Sequence, residues 1–293
     1  MNILINNEKI DFSLDGERNC LDIYSGLAAW LETQEYYISE ISLDGKEIFL
    51  QNKEILKDYE IGSITKMEIT ALDRIQTMVK DLGTVRSYFD LYNQALDGMN
   101  RDVMIDLGSQ YGHIRNNLPQ LLMMNGYVFD TTLNKLMDDS GILEGDVSGE
   151  NKAALKQEWA NVDALIQGRM GELTQPVQEG LKTAATLNRL IPRIEEVSVL
   201  FQSNKDKEAL DIIIVLSELL SKSVRILTGL SEAGQELSLP EEFIPELNSI
   251  LSELAEAIDT GDTILTGDLT EYEIIPKIEI LEEIFTALSR EES

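Results

Sequence analysis

Ile3 and Ile5 alternate with polar neighbours from Met1 to Asn6, and Ile10, Phe12 and Leu14 alternate again from Lys9 to Leu14. Two period-2 runs joined by Asn6-Asn7-Glu8 predict a β-hairpin, since asparagine accepts the backbone of a tight turn. The period then changes. Leu21, Tyr24, Leu27, Ala28 and Leu31 fall at helical spacing behind Asn19, a good N-cap, so Cys20 to Gln34 reads as a helix. Ile41 and Leu43 alternate before the turn Asp44-Gly45, a short Ile48-Phe49-Leu50 segment follows, and Lys66 to Leu72 closes with Met67 and Ile69 on one face.

From Arg74 the alternation gives way to apolar residues every three or four positions. Ile75, Val79, Leu82, Val85, Phe89, Tyr92 and Leu96 predict a long helix ended by Asp97-Gly98. Val103 to Leu121 carries the same period to Gly126, with Pro119 placed to kink it. Residues 138–150 are rich in turn formers and read as a loop. Beyond it, Leu155 to Met170 and Leu181 to Phe201 predict helices, the second opened by Pro176 and interrupted by Pro192. Glu208 to Leu230 is apolar almost all round and is expected at the centre of a bundle. Two final helices, about 241–258 and 271–289, are apolar on one face and acidic on the other. Asn204–Leu230 and Thr260–Leu288 share a polar joint before an apolar helix, a two-copy likeness short of a solenoid.

The expected fold class is therefore an α+β domain over residues 1–72 followed by an all-α, acidic bundle over 73–293, with a subdivision at 138–150. The order strand, strand, helix, strand, short strand, strand, with Asp44-Gly45-Lys46-Glu47-Ile48 and Leu56-Lys57-Asp58-Tyr59-Glu60-Ile61 before the last strand, resembles the ubiquitin-like β-grasp superfamily. The resemblance covers a quarter of the chain and implies that Tyr59 pins the loop before the closing strand. Two departures matter. Ala71-Leu72-Asp73 runs straight into a helix where a conjugated relative ends in Gly-Gly, and Ser42 stands where such relatives present an apolar patch. These imply an interaction or assembly module, not a modifier.

Charge sharpens this. Lys and Arg number 24 against 53 Asp and Glu, a net of −29, and residues 232–293 hold only Lys277 and Arg290 against 17 acids. Such a surface repels phosphate backbones, which argues against nucleic acid, and attracts a basic or amphipathic protein. Glu241, Glu242, Glu246, Glu253, Glu256, Glu282 and Glu283 are the expected protein-binding residues. The single cysteine, the lack of a leader and the lack of a long apolar run point to the cytoplasm without membrane insertion.

Catalytic sets are not apparent. His113 is the only histidine and Cys20 the only cysteine, so neither a His-based triad nor a His/Cys zinc site is expected, and Cys20 reads as a small buried residue. Neither acidic loop, counted from Asp139 or Asp259, fits the calcium-loop spacing, and no phosphate-cradling glycine motif occurs. Trp30 and Trp159 read as core.

The expected function is thus a non-enzymatic adaptor, scaffold or chaperone-like protein without cofactors, with homodimerisation through a spare face of the 74–96 helix as a further expectation. Two alternatives stand beside it. One is a structural subunit or assembly factor of a larger bacterial machine, since Gly267 to Pro276 resembles bacterial proteins of motility gene clusters. The other is an enzyme with carboxylate-only chemistry.

Overall fold

The computed structural model describes residues 1–10, 16–237, 239–240 and 242–291. Phe12 and Leu14 lie outside them. The chain divides into two compact units, Met1–Gln167 and Gly168–Ser293, and the division falls inside one helix and not at residues 138–150.

The first unit opens with a five-stranded mixed sheet of order β2-β1-β5-β3-β4, formed by β1 (Asn2–Ile5), β2 (Glu8–Ile10), β3 (Tyr36–Leu43), β4 (Lys46–Ile48) and β5 (Lys66–Asp73). β1 and β5 pair in parallel at the centre, and the remaining pairs are antiparallel. Both hairpins turn on two residues with positive φ, Asn6-Asn7 and Asp44-Gly45, whose twist suits a two-residue connection. Asn6 adds a second role: its side-chain amide donates to the Ala71 carbonyl and accepts from the Ala71 N–H, both at 2.9 Å, imitating a strand.

Helix α1 (Cys20–Glu32) lies on one face of this sheet. Asn19 Oδ1 accepts from the Leu21 and Asp22 N–H groups, as its N-cap role requires. Ile23, Leu27 and Leu31 recur every fourth residue and are buried with Ile3, Ile41, Leu43, Met67 and Ile69. Trp30 falls one position off that stripe and is 50% exposed, so it is not core. Cys20 is fully buried, which pushes its thiol pKa up with a smaller push from Asp44. Tyr59 ties the loop: its carbonyl accepts from the Cys20 N–H at 3.0 Å and its hydroxyl accepts from Lys46 Nζ at 3.3 Å. The arrangement is compatible with a β-grasp-like fold.

Asp73 ends β5 and caps α2 (Arg74–Asp97) in a reciprocal capping box with Gln76. α3 (Arg101–Leu122) runs antiparallel to α2, since the Tyr88 hydroxyl donates to Leu107 and the Tyr92 hydroxyl to Met104. Pro119 lies inside α3, which ends three residues later at Leu122 and is followed by a left-handed Met123. α4 (Gly126–Phe129), a π turn at Asp130–Asn134 and α5 (Lys135–Asp139) follow. The segment expected as a loop thus holds the end of α5, a 3-10 turn at Ile142–Glu144 and the start of α6 (Gly149–Thr174). Ile142, fully buried, anchors it. Trp159 of α6 is core and stacks near Phe89 and Tyr92.

In the second unit α7 (Pro176–Ile194) packs against both α9 (Asp206–Glu232) and α12 (Ile275–Glu291). Pro192 lacks an N–H, and α7 stops two residues later before α8 (Val197–Gln202). α9 supplies nine buried positions but also exposes Ile214 and Val215, so it has an outward face and is not enclosed all round. α10 (Phe243–Thr260) and α11 (Thr263–Asp268) precede a second π turn, Leu269–Ile274, which leads into α12. Among the described residues no helix is long and apolar enough to cross a membrane.

Gly180 marks a close approach of α7 to α12: a Cβ there would sit 2.2 Å from the Phe285 ring. Gly180→Ala is therefore expected to lower stability by about 1–2 kcal/mol, overpacking outweighing the gain in helix propensity. Chemical denaturation measures this, and Phe285→Leu should recover most of the loss when combined with it. Additive effects of the two changes would contradict the packing argument.

Candidate interaction site

Glu242, Glu246, Glu253 and Glu256 sit four, seven and three residues apart, spacings that bring successive side chains back to one side of a helix. All four are exposed, as a stripe along α10 about 21 Å long at 1.5 Å per residue. The flank of α10 beside that stripe buries Phe243, Leu247, Leu254 and Ala257. Amphipathicity thus fixes where the acids point. Among the described residues Glu246 alone of these is ion-paired, with Lys277 of α12, whose ammonium also lies 5.3 Å from the Phe243 ring centroid. Glu282 and Glu283 are exposed on α12. Glu241 lies outside the described residues.

A different arrangement holds the buried charges of this unit. Glu172, near the end of α6, accepts from Arg225 Nε at 3.1 Å and Nη2 at 2.8 Å, and from Arg169 Nη1 at 2.6 Å. One helical turn into α7, Glu179 accepts from Lys182 and Lys222, each at 2.8 Å. Burial works to raise the Glu179 pKa, but the two lysines outweigh it and hold the carboxyl below its ordinary value. Glu172, buried, and Glu179, half-buried, are thus each held by two cations. These clusters escape a reading of the sequence because Glu172 and Arg225 stand 53 residues apart.

In the first unit, Tyr111 donates to Asn134 Oδ1 at 2.6 Å, and Asn134 donates to Asp130 Oδ1 at 2.8 Å. Arg115 joins Asp130 and Asp138 at the surface. This chain satisfies the buried polar atoms at the first π turn. Beside it, His113 is exposed at the rim of a groove of about 470 Å³ floored by Met78, Val85, Ile114 and Leu121. Asp81 lines the same groove, and desolvation raises its pKa. Among the described residues no three His, Cys, Asp or Glu side chains form a metal-binding group.

The fold and site together define an α+β domain joined to acidic helices. Residues 1–73 are similar to the family described as the TP0873 N-terminal domain, a match that ends at the Asp73 cap. Residues 181–284 are similar to a family described as a domain of unknown function, DUF8042, which begins in α7 and ends in α12. No curated protein and no solved structure matches the chain.

Glu179 gives a pH test. A carboxyl with a depressed folded pKa contributes stability that is full above the unfolded value, near 4.3, and is lost as pH falls through the folded value. Glu179→Gln should thus cost about 1 kcal/mol at pH 7, and the difference from wild type should shrink as pH is lowered from about 5 toward 3. Denaturant titrations at successive pH values measure it. A difference that stays constant with pH would show that the charge is not what stabilises.

Proposed function

We propose that this chain is a non-enzymatic protein-interaction module, an adaptor, scaffold or chaperone-like protein, that binds a basic or amphipathic protein through its acidic helix faces. The observation that carries the reading is the α10 stripe. Glu242, Glu253 and Glu256 face solvent without an ion pair among the described residues, in a segment where acids outnumber bases 17 to 2. Opposed charges at such a surface speed encounter and select partners, and the effect is screened by salt.

The ubiquitin-like reading of residues 1–72 belongs to the same proposal. Its outer sheet face carries Glu40, Ser42, Glu68 and Thr70, and Glu40 is bonded to Lys80 of α2 at 2.7 Å. A face so polar suits docking through hydrogen bonds and charge more than through an apolar patch. The reading also includes a reducing, cytoplasmic setting, supported by a lone cysteine that is fully buried.

The test is affinity capture with the wild-type chain and with a Glu253→Gln, Glu256→Gln, Glu282→Gln, Glu283→Gln variant. Basic proteins retained by wild type at about 50 mM salt should be released at several-fold higher ionic strength and should be lost from the variant. Equal retention by both chains, or none at low salt, would remove the basis of the proposal.

A further inference from the structure

Acids are spread along the whole chain except in one place. Between Asp106 and Asp130 none occurs, the longest such run in the sequence, and Arg115 is the only Lys or Arg within it. Arg115 is itself spent on Asp130 and Asp138. The run covers most of α3 and all of α4, so folding gathers it on one part of the first unit.

His113, Asn117 and Gln120, spaced by four and three residues, are exposed along α3 where it rims the groove of about 470 Å³ shared with α2. Met78, Ile114 and Leu121 are only partly covered there, so the groove offers apolar surface to water. Among the described residues Asp81 is the one carboxylate that lines it. Just past the groove the chain turns outward. Met123 is 56% exposed beyond the end of α3, and Tyr127 of α4 is 71% exposed. This turn stays close to α3, since a Cβ at Gly126 would lie 3.8 Å from the Pro119 ring. A protruding knob and an open groove therefore stand side by side, and the acid-free run supplies most of both.

Net charge selects what can cover them. Two copies of a chain at −29 repel wherever their acids meet, so a self-contact is favoured only where acids are absent. A basic partner has no acidic row to meet here. A knob beside a groove is also what a two-fold contact needs, because each copy can offer its knob to the groove of the other. The size is adequate. α3 has 22 residues and is about 33 Å long, and with α2 beside it the face is about 20 Å wide. That gives about 1,300 Å² over two copies, at the lower end of specific interfaces.

We infer that this face pairs two copies of the chain in an isologous dimer, Met123 and Tyr127 of each copy filling the α2–α3 groove of the other. The surface belongs to the first unit, and the α10 glutamates to the second, so dimerisation and capture of a basic protein stand or fall separately. Salt tells them apart. Screening relieves the repulsion between copies, so the dimer tightens as ionic strength rises, whereas a basic protein is released.

Sedimentation velocity on the full chain at about 0.5 M salt should show a dimer that dissociates on dilution through the micromolar range. Tyr127→Ser, and Asn117→Asp combined with Gln120→Glu, alter exposed positions and should each weaken it at least about tenfold with circular dichroism unchanged. Gln178→Glu combined with Asn248→Asp adds the same charge at exposed positions of the second unit and should leave the dimer intact. A monomer at every concentration and salt, a dimer undisturbed by both groove variants, or equal weakening by the second-unit pair would overturn the proposal.

Discussion

Asp73 is the constraint on which the first unit depends. The residue is the last of β5 and the N-cap of α2, so sheet and helix are joined without a linker. Its carboxylate accepts from the Gln76 N–H at 2.7 Å while Gln76 Oε1 accepts from the Asp73 N–H at 3.2 Å. Because β5 sits at the centre of the sheet, between β1 and β3, the cap is seated on the least movable strand available. Two consequences follow. The C-terminal end of the sheet domain has no free tail, and α2 leaves along a fixed direction, reinforced seven residues on by Lys80 and Glu40. The match to the TP0873 N-terminal domain stops at this joint, which is where the physics changes from sheet pairing to helix packing.

The sheet domain was legible because its signals are local. Alternation at Ile3 and Ile5, the Asn19 cap and the Asp44-Gly45 turn each act within a few residues, and each forms the predicted feature. Trp30 misleads for an equally local reason. Helical spacing identifies a hydrophobic face only to within the 100° between neighbours, and the stripe Ile23, Leu27, Leu31 leaves Trp30 on its flank. The acidic stripe of α10 was also within reach, since its four glutamates are spaced by helical geometry alone. What stayed hidden depends on partners distant in sequence: the two lysines around Glu179, the arginines around Glu172, and the groove between α2 and α3.

The π turns show a subtler loss. Thr266 and Thr270, both buried, spend their hydroxyls on carbonyls one turn back, which satisfies those polar groups without a partner from another element. A sign of the π turn is present in the chain: buried Leu269 and Ile274 are five apart, a spacing suited to neither α-helix nor strand. The first π turn uses Thr131 and Thr132 in the same way. Both follow the same local grammar of a helix ended in left-handed backbone (Met123, Gly261), an Asx cap (Asn125, Asp262) and a short helix. Asn204 is left-handed too, but α9 runs on without a π turn, so the structural likeness joins the 125–139 and 262–291 segments more closely than the pair suggested by their apolar character.

Electrostatics separates the two classes of acid in the second unit. Glu172, buried, and Glu179, half-buried, are each held by two cations, since a charge taken out of water without a partner is strongly destabilising. Outside, the acids of α10 and α12 have almost no bases to meet, Lys277 and Arg290 being the whole supply after residue 231. Water solvates them adequately, so folding does not require their neutralisation, and their mutual repulsion works against the compact state instead. A surface that destabilises its own fold is favoured only where it serves another end. Solubility is one such end, but it needs no alignment, whereas α10 sets its glutamates along one line about 21 Å long. In the proposed reading, that order is what a basic partner would meet with a row of cations spaced to match.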